Sequence, residues 1–168
     1  MKKIVCALLT LACLLCLCSC ATENKEPSAN FYYVRDSYIY GKEDGVIASE
    51  MRSTAEFTNA EETLRAYLSG PEDISLVSPF PKGTKIIDFF YMGETLHITL
   101  STHIVTLSKA KQVLACACLA RTAMELTRVK AVYFQSDETG FTRMEPILID
   151  QDSVLLYDDY TGPAPTTP

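Results

Sequence analysis

Two histidines, His97 and His103, are the only imidazoles in the chain, so an acid–base site at neutral pH must be built around them. A hydrolase would also need a nucleophile such as Ser101 or Ser108, with a base and a carboxylate to orient that base. The sequence contains no Gly-x-Ser-x-Gly turn that would expose such a serine. We therefore predict that His97 and His103 are not catalytic, that His97 is exposed on the polar side of a strand, and that the protein is not an enzyme.

The sequence also lacks the usual motifs for binding a metal ion or a cofactor. The acidic pairs Glu72-Asp73 and Asp158-Asp159 lack the alternating oxygen donors and the glycine turn of a calcium loop. No cysteines or histidines are paired at a zinc-finger spacing, and no glycine-rich phosphate loop or dinucleotide fingerprint is present. We expect no metal and no cofactor, and we interpret the acidic pairs as solvated surface.

Cys116 and Cys118 are the two cysteines that lie far from the amino terminus. They fall two positions apart in a helical run, where their side chains point about 200° away from each other, so a disulfide would require the helix to unwind. We predict that both are reduced and buried, as small apolar side chains.

The amino-terminal segment has the features of an export signal. Lys2 and Lys3 precede an apolar run over residues 4–18, and small residues follow. As a helix, the run would be about 22 Å long, shorter than the roughly 30 Å hydrocarbon core that a stable span must cross. Residues 1–19 are therefore predicted to be a signal peptide.

The end of that segment, Leu17-Cys18-Ser19-Cys20, resembles a bacterial lipobox. This resemblance implies that the Cys20 thiol takes a diacylglycerol thioether and that Cys20 becomes the first residue after cleavage. Residues 20–30 would then be the lipidated cysteine and a polar tether, with the protein on the outer face of the cytoplasmic membrane. A plain secreted protein and an uncleaved single-pass anchor are the alternatives.

Composition excludes several other classes. The 168 residues are 48% hydrophobic and 21% charged, which is typical of a globular domain. The formal net charge of −6 becomes −8 when Lys2 and Lys3 are removed with the signal. An acidic domain lacks the phosphate attraction that dominates nucleic-acid binding, so nucleic acid is not an expected partner.

The first part of the exported region is rich in strand-forming residues. Residues 31–34 and 37–40 are predicted strands, and residues 46–51 return as a third after Asp44-Gly45, all before the main domain. The aromatic rings of the first two of these strands form either a platform for a carbohydrate or partner, or a cover for the domain. The residues that carry them are Phe31, Tyr32, Tyr33, Tyr38 and Tyr40.

A helix and a hairpin come next. Thr58-Asn59-Ala60-Glu61 has the form of a capping box, and Gly70-Pro71 ends the helix that it begins. Residues 84–91 and 94–101 predict a β-hairpin around Met92-Gly93. Its second strand should bury Leu96, Ile98 and Leu100 and expose His97, Thr99 and Ser101 to water.

A long helix is predicted over residues 109–127, capped by Ser108, and a strand follows over 129–134. Residues 147–149 and 154–157 are predicted to form a last hairpin, and residues 158–168 a disordered tail. The fold class is thus α+β: a helix-strand-strand-helix-strand unit with two helices on one face of a small three-stranded sheet, plus flanking β-hairpins. The helix stripe expected to face the sheet is Ala110, Val113, Leu114, Ala117, Ala120 and Met124.

Four pieces of the sequence together resemble the GerM family of sporulation and spore-germination proteins. They are residues 64–71, residues 81–86, Gly93 with Thr99-Leu100-Ser101, and residues 121–126 leading into Val129-Lys130-Ala131-Val132. The resemblance covers residues 58–140 and implies an α+β unit similar to a ring-building motif, with a role in assembly. The matching residues shape turns and helix ends and carry no chemistry.

The sequence thus predicts a GerM-like domain over residues 31–157, with its core at 58–140. We expect a lipid-anchored assembly or scaffold module that contacts membrane lipid through Cys20, binds envelope proteins and can form homo-oligomers. The alternative is a lipoprotein that binds the cell wall or a small ligand.

The lipid anchor can be tested by Cys20→Ala. We expect the variant to leave the membrane fraction and to change its mobility on a gel, because the acyl chains supply the attachment. Unchanged fractionation and mobility would show that Cys20 is not the anchor.

Overall fold

The computed structural model describes residues 26–36, 45–137 and 143–153. Its first sheet is antiparallel and has the strand order β2-β1-β3. The strands are β1 (Ser28–Arg35), β2 (Ile47–Ser53) and the short β3 (Leu76–Val77). The strand predicted over 46–51 is confirmed as β2, whereas the one predicted over 37–40 lies outside the described residues.

The second sheet is mixed and has the order β4-β5-β6-β7. Strands β4 and β5 form an antiparallel hairpin, β5 and β6 are parallel, and β6 and β7 are antiparallel. Two α-helices and one 3₁₀ helix lie between the strands, a further helical stretch begins at residues 151–153, and the fold is α+β as predicted. Their bounds are β4 (Ile86–Met92), β5 (Thr95–Leu100), β6 (Ala131–Ser136), β7 (Ile147–Asp150), α1 (Ala60–Tyr67), α2 (Lys109–Thr127) and the 3₁₀ helix Thr102–Thr106.

The predicted hairpin is confirmed. Gly93 has a φ of +61°, a left-handed conformation that glycine adopts without strain, and this lets β4 turn into β5. Leu96, Ile98 and Leu100 of β5 are fully buried, as their alternation predicts.

Helix α2 is buried on every side at its centre. Residues 115–120 all have no exposed surface, and six consecutive helical residues point in every direction around the axis. The helix contacts β1 of the first sheet, β6 and β7 of the second, and α1. It also connects the parallel strands β5 and β6, which a hairpin cannot join.

The stripe predicted for this helix is only partly confirmed, because Ala117 and Ala120 are fully buried and its other four residues are not. Ala110 is exposed, and Val113, Leu114 and Met124 are only half-buried. Ala117 packs with Cys118 and with Ile47 of β2, away from the hairpin face. A one-sided stripe is the pattern of a helix with one wet face, and the centre of α2 has none.

Cys116 and Cys118 are both free and buried, as predicted. Their small side chains suit a helix enclosed by its neighbours, and burial raises the pKa of the Cys116 thiol.

Side chains of α2 cover an open stretch of the edge of β1. The backbone amide of Asn30 donates to Glu125 Oε1 (3.1 Å) and that of Tyr32 donates to Thr122 Oγ1 (3.0 Å). Strand β3 pairs only with residues 34 and 35, so these two acceptors satisfy amides that would otherwise lack a strand partner.

Strand β1 also corrects two predicted boundaries. It begins at Ser28, so the predicted tether over 20–30 is too long at its carboxyl end. Phe31 and Tyr33 are fully buried in the same core as Leu96 and Ile98, so β1 does not precede the domain but forms part of it.

The second sheet has four strands, so the predicted three-stranded sheet is wrong. Strand β7 pairs with β6 instead of opening a separate hairpin with residues 154–157, which lie outside the described residues, as does the predicted tail. The two-helix cover of one sheet is not confirmed. Tyr67 of α1 stacks on Tyr33 of the first sheet with ring centroids 4.5 Å apart, and α2 contacts both sheets.

The start of α1 is one residue later than predicted. Asn59 is the N-cap, and its side chain accepts the amide of Glu62 (2.9 Å). Glu62 in turn accepts the amide and hydroxyl of Thr58, and these hydrogen bonds lower the pKa of Glu62.

The enclosed centre of α2 predicts the outcome of Ala117→Asp. This substitution buries a carboxylate among apolar side chains, so the free energy of unfolding should fall by about 3 kcal/mol or more. Ala110→Asp makes the same change at an exposed position of the same helix and should shift it by less than about 0.5 kcal/mol. Equal losses in denaturant titrations of the two variants would contradict this placement of the helix.

Candidate functional site

His97 lies in the centre of the outer face of the second sheet, the face turned away from α2. Its ring stacks on Phe90 of β4, with centroids 4.9 Å apart and planes at 16°, and it lies 4.9 Å from the ring of Tyr133 on β6. The imidazole is half-buried between these rings, so the prediction of an exposed histidine is wrong. Its role here is that of an aromatic side chain.

These rings belong to a row that crosses all four strands. The register pairs Phe90 with His97, His97 with Tyr133, and Tyr133 with Leu148. Met92 of β4 lies two positions along on the same face. We call Phe90, His97, Tyr133, Leu148 and Met92 the outer row.

The outer row is largely apolar and open to solvent. The exposed fractions are 39% for Phe90, 58% for Leu148 and 62% for Met92. Large apolar side chains gathered on one exposed sheet face are typical of a contact surface.

The polar outer face predicted for β5 is corrected at two further positions. Thr99 and Ser101 are buried. Thr99 Oγ1 accepts a hydrogen bond from Gln135 Nε2 (3.0 Å), and Ser101 Oγ accepts one from the Lys85 amide (3.0 Å).

Ser101 and His103 come closer together than the sequence suggested. Ser101 Oγ lies 3.2 Å from His103 Nδ1, the separation of a nucleophile and its base. Among the described residues, however, no carboxylate is hydrogen-bonded to His103, and Ser101 is buried and bound to the backbone of Lys85. Through the Lys85 amide, this pair links the end of β5 to the loop before β4. The other candidate nucleophile, Ser108, is exposed at the start of α2.

A partly buried ion pair, Arg52 with Glu50, holds the turn that follows α1. The Arg52 guanidinium lies over the rings of Phe31 (5.0 Å) and Tyr33 (5.6 Å), contacts the Glu50 carboxylate and donates to the Gly70 carbonyl (2.7 Å). Glu50 also accepts the amides of residues 72 and 73. Each of these contacts fixes backbone position, which is a structural role.

The aromatic residues of β1 do not form a platform. Phe31 and Tyr33 are in the core, and Tyr33 donates to the Tyr67 carbonyl (2.9 Å) while burial raises its pKa. Tyr32 is half-buried under the Arg121 guanidinium (4.5 Å) and donates to Glu125 (2.9 Å). Tyr38 and Tyr40 lie outside the described residues.

Other predicted sites can be placed only in part. Asp73 accepts hydrogen bonds from the amide and hydroxyl of Ser75, which lower its pKa, whereas Asp158, Asp159 and the lipidation residue Cys20 lie outside the described residues. Within the described ranges, no group of His, Cys, Asp or Glu residues is arranged to hold a metal ion. No helix in the described part of the chain has the length and apolar character needed to cross a membrane.

Sequence reasoning missed the outer row. The alternation of β4 does contain its signal, because Asp88, Phe90 and Met92 share one face. Joining that face to Tyr133 and Leu148 requires the parallel register of β5 and β6 and the pairing of β7, neither of which is a local pattern.

A family model described as "Germane: Sporulation and spore germination" matches residues 30–140 of the chain. Among curated proteins, none matches. The solved tandem GerMN domains of the sporulation protein GerM from Bacillus subtilis align at 13% identity and a TM-score of 0.47, over 72% of this chain and 43% of that one. The chain therefore spans less than half of that structure. A Clostridium perfringens protein with a provisional lipoprotein designation aligns at 17% identity and a TM-score of 0.43, over 78% of this chain and 91% of that one.

The stacking of His97 predicts which substitutions the position tolerates. His97→Phe should keep the free energy of unfolding within about 0.5 kcal/mol, because the ring contacts with Phe90 and Tyr133 remain. His97→Ala removes them and should cost about 1 to 2 kcal/mol. If denaturant titration gives both variants the same loss, ring stacking is not what His97 contributes.

Proposed function

The chain belongs to the Germane family of sporulation and spore-germination proteins, and on that basis we propose that it is a lipid-anchored assembly module that works by contact with an envelope protein. The family assignment agrees with the resemblance to GerM stated from the sequence. The membrane anchor, the contact role and the absence of turnover are parts of the proposal.

The outer row is the single observation that carries the contact role. Phe90, Leu148 and Met92 present large exposed side chains on a sheet face that no described element covers. Exposed apolar area on a small domain lowers its solubility, so a surface of this kind is usually occupied by a partner.

The polar surroundings of the outer row suit a protein partner. Asp88 and Asp150 lie at the two edges of this face, next to the apolar row, and the half-buried Thr95 lies between them. An apolar centre with a polar rim is the usual anatomy of a protein interface. Aromatic and methionine side chains such as Phe90, Tyr133 and Met92 are enriched at such centres.

The proposed anchor makes a weak interface sufficient. Cys20 is followed by a short polar stretch, so a lipidated chain would hold the domain close to the membrane surface. Two proteins confined to one membrane meet at a raised effective concentration, which increases their association without any new contact. A modest apolar patch can therefore act in assembly at the membrane.

The side chains that could take part in catalysis favour a role in contact over a role in turnover. His97 is stacked between rings, the Ser101–His103 pair has no orienting carboxylate among the described residues, and Arg52 is bound to Glu50 and Gly70. Each group is occupied in holding the fold, so the proposal assigns none of them to catalysis.

The proposal is tested by placing a charge on the outer row. Leu148→Arg should abolish cross-linking of the protein to its envelope partner in cells and impair sporulation or spore germination. The reason is that an arginine must lose its hydration to enter an apolar interface. Ile74→Arg is the matched control, since Ile74 is 96% exposed and lies in the loop before β3, away from the outer row. It should keep wild-type cross-linking.

Both variants should melt within a few degrees of the wild-type chain, because neither replaced side chain is in the core. Normal cross-linking and function in Leu148→Arg would refute the outer row as the contact surface. A defect in His103→Ala, with Leu148→Arg unaffected, would favour an enzyme instead.

A further inference from the structure

A second feature, independent of the outer row, is an open cleft of about 560 Å³ between α1 and the start of β4. One wall is the carboxyl-terminal end of α1 with Arg65 and Leu68, and the other is the loop that contains Phe80, Lys82 and Lys85. A cleft of this volume is in the range of sites that bind small ligands or one segment of a polymer.

The charge of the cleft is opposite to that of the protein. Arg65, Lys82 and Lys85 all line it, and none of the described residues in its lining is acidic. The whole chain has a formal charge of −6, so a lining with three cations and no acid is a local reversal of sign, although Glu61 outside the lining pairs with Arg65. Such a recess attracts anions.

Lys82 and Lys85 supply the positive charge that is available to bind an anion. Arg65 is already bound, since it donates to Glu61 Oε1 from Nε (3.1 Å) and Nη2 (2.6 Å) and to the Ile86 carbonyl from Nη1. Lys82 and Lys85 are exposed, and neither forms an ion pair or a side-chain hydrogen bond with another described residue.

The loop fixes the positions from which these lysines project. The amide and the hydroxyl of Thr84 both donate to the Pro81 carbonyl, at 3.1 and 2.8 Å. Gly83 has a φ of +91°, and a methyl group there would lie 3.3 Å from His103 Nε2. The Lys85 amide is bound to Ser101 Oγ, so the backbone that carries both charges is set before any ligand arrives.

This chemistry favours phosphate over carboxylate. Arginine recognises carboxylate and phosphate oxygens alike in a planar bidentate way, but Arg65 in this lining already uses its guanidinium on Glu61 and Ile86. Lysine ammonium groups act as compact point charges, which suit the oxygens of a phosphate. Leu68, Phe80 and Pro81 provide apolar surface for the carbon part of the ligand.

We propose that this cleft binds a phosphodiester-linked chain, such as a segment of poly(glycerol phosphate), with Lys82 and Lys85 on its phosphates. The concave shape favours a single flexible chain over a flat bilayer, because a bilayer is met by charges that protrude from a surface. The chain lies along the apolar floor and remains open to solvent on its outer side.

The test uses the full-length chain in a neutral detergent and fluorescently labelled poly(glycerol phosphate), with binding measured by anisotropy. The double variant Lys82→Gln/Lys85→Gln should bind about tenfold more weakly or worse, because two charge-assisted contacts are lost. Lys109→Gln/Lys111→Gln is the control, because it removes the same charge at exposed positions on α2 outside the cleft and should retain affinity within about twofold.

Three ligand comparisons complete the test. Poly-γ-glutamate of equal charge should bind at least about tenfold more weakly than the phosphate polymer, because it offers carboxylates to lysines. A short-chain phosphatidylglycerol should also bind more weakly, since it offers one phosphate. No binding of the polymer, equal affinity for poly-γ-glutamate, or equal losses in the two double variants would overturn the proposal. Lysine-dependent binding of the lipid without binding of the polymer would also overturn it and assign a membrane surface instead.

Discussion

The central constraint of this fold is the complete enclosure of the centre of α2, residues 115–120. A stretch of helix that touches both sheets and a second helix can expose no polar face there, and it must also be narrow if the sheets are to reach each other's side chains. Residues 115–120 meet both demands with alanine and cysteine at every position except Leu119. A larger or charged side chain there would displace a sheet, because no direction around the axis leads to solvent.

The placement of α2 also decides which parts of the sheets stay open. The helix covers the inner face of the second sheet at β6 and β7, and its Thr122 and Glu125 satisfy free amides on β1. The outer face of the second sheet has no such cover among the described elements. Burial is therefore concentrated on one side of that sheet, and the outer row and the cationic cleft both lie outside the enclosed centre.

Local pattern was sufficient for some of the fold. The hairpin of β4 and β5 and the length of α2 follow from alternation, a glycine turn and a run without glycine or proline. The face of α2 could not be predicted, because periodicity assumes a wet side. The pairing of β7 with β6 and the rings around His97 depend on register between distant strands, so the outer row was missed. The predicted N-cap of α1 was one residue too early. Thr58 and Asn59 are both good N-cap residues, and it is the Asn59 side chain that accepts the Glu62 amide.

The enclosure of Cys116 and Cys118 has a consequence for redox chemistry. The thiolate is the form that attacks disulfides and is oxidised to sulfenic acid, and burial raises the pKa of Cys116 while both sulfurs are shielded from solvent. Once the chain has folded, this enclosure keeps both thiols out of disulfide exchange even in an oxidising compartment. Only unfolding would expose them, so their reaction with a thiol reagent reports on the opening of the helix between the sheets.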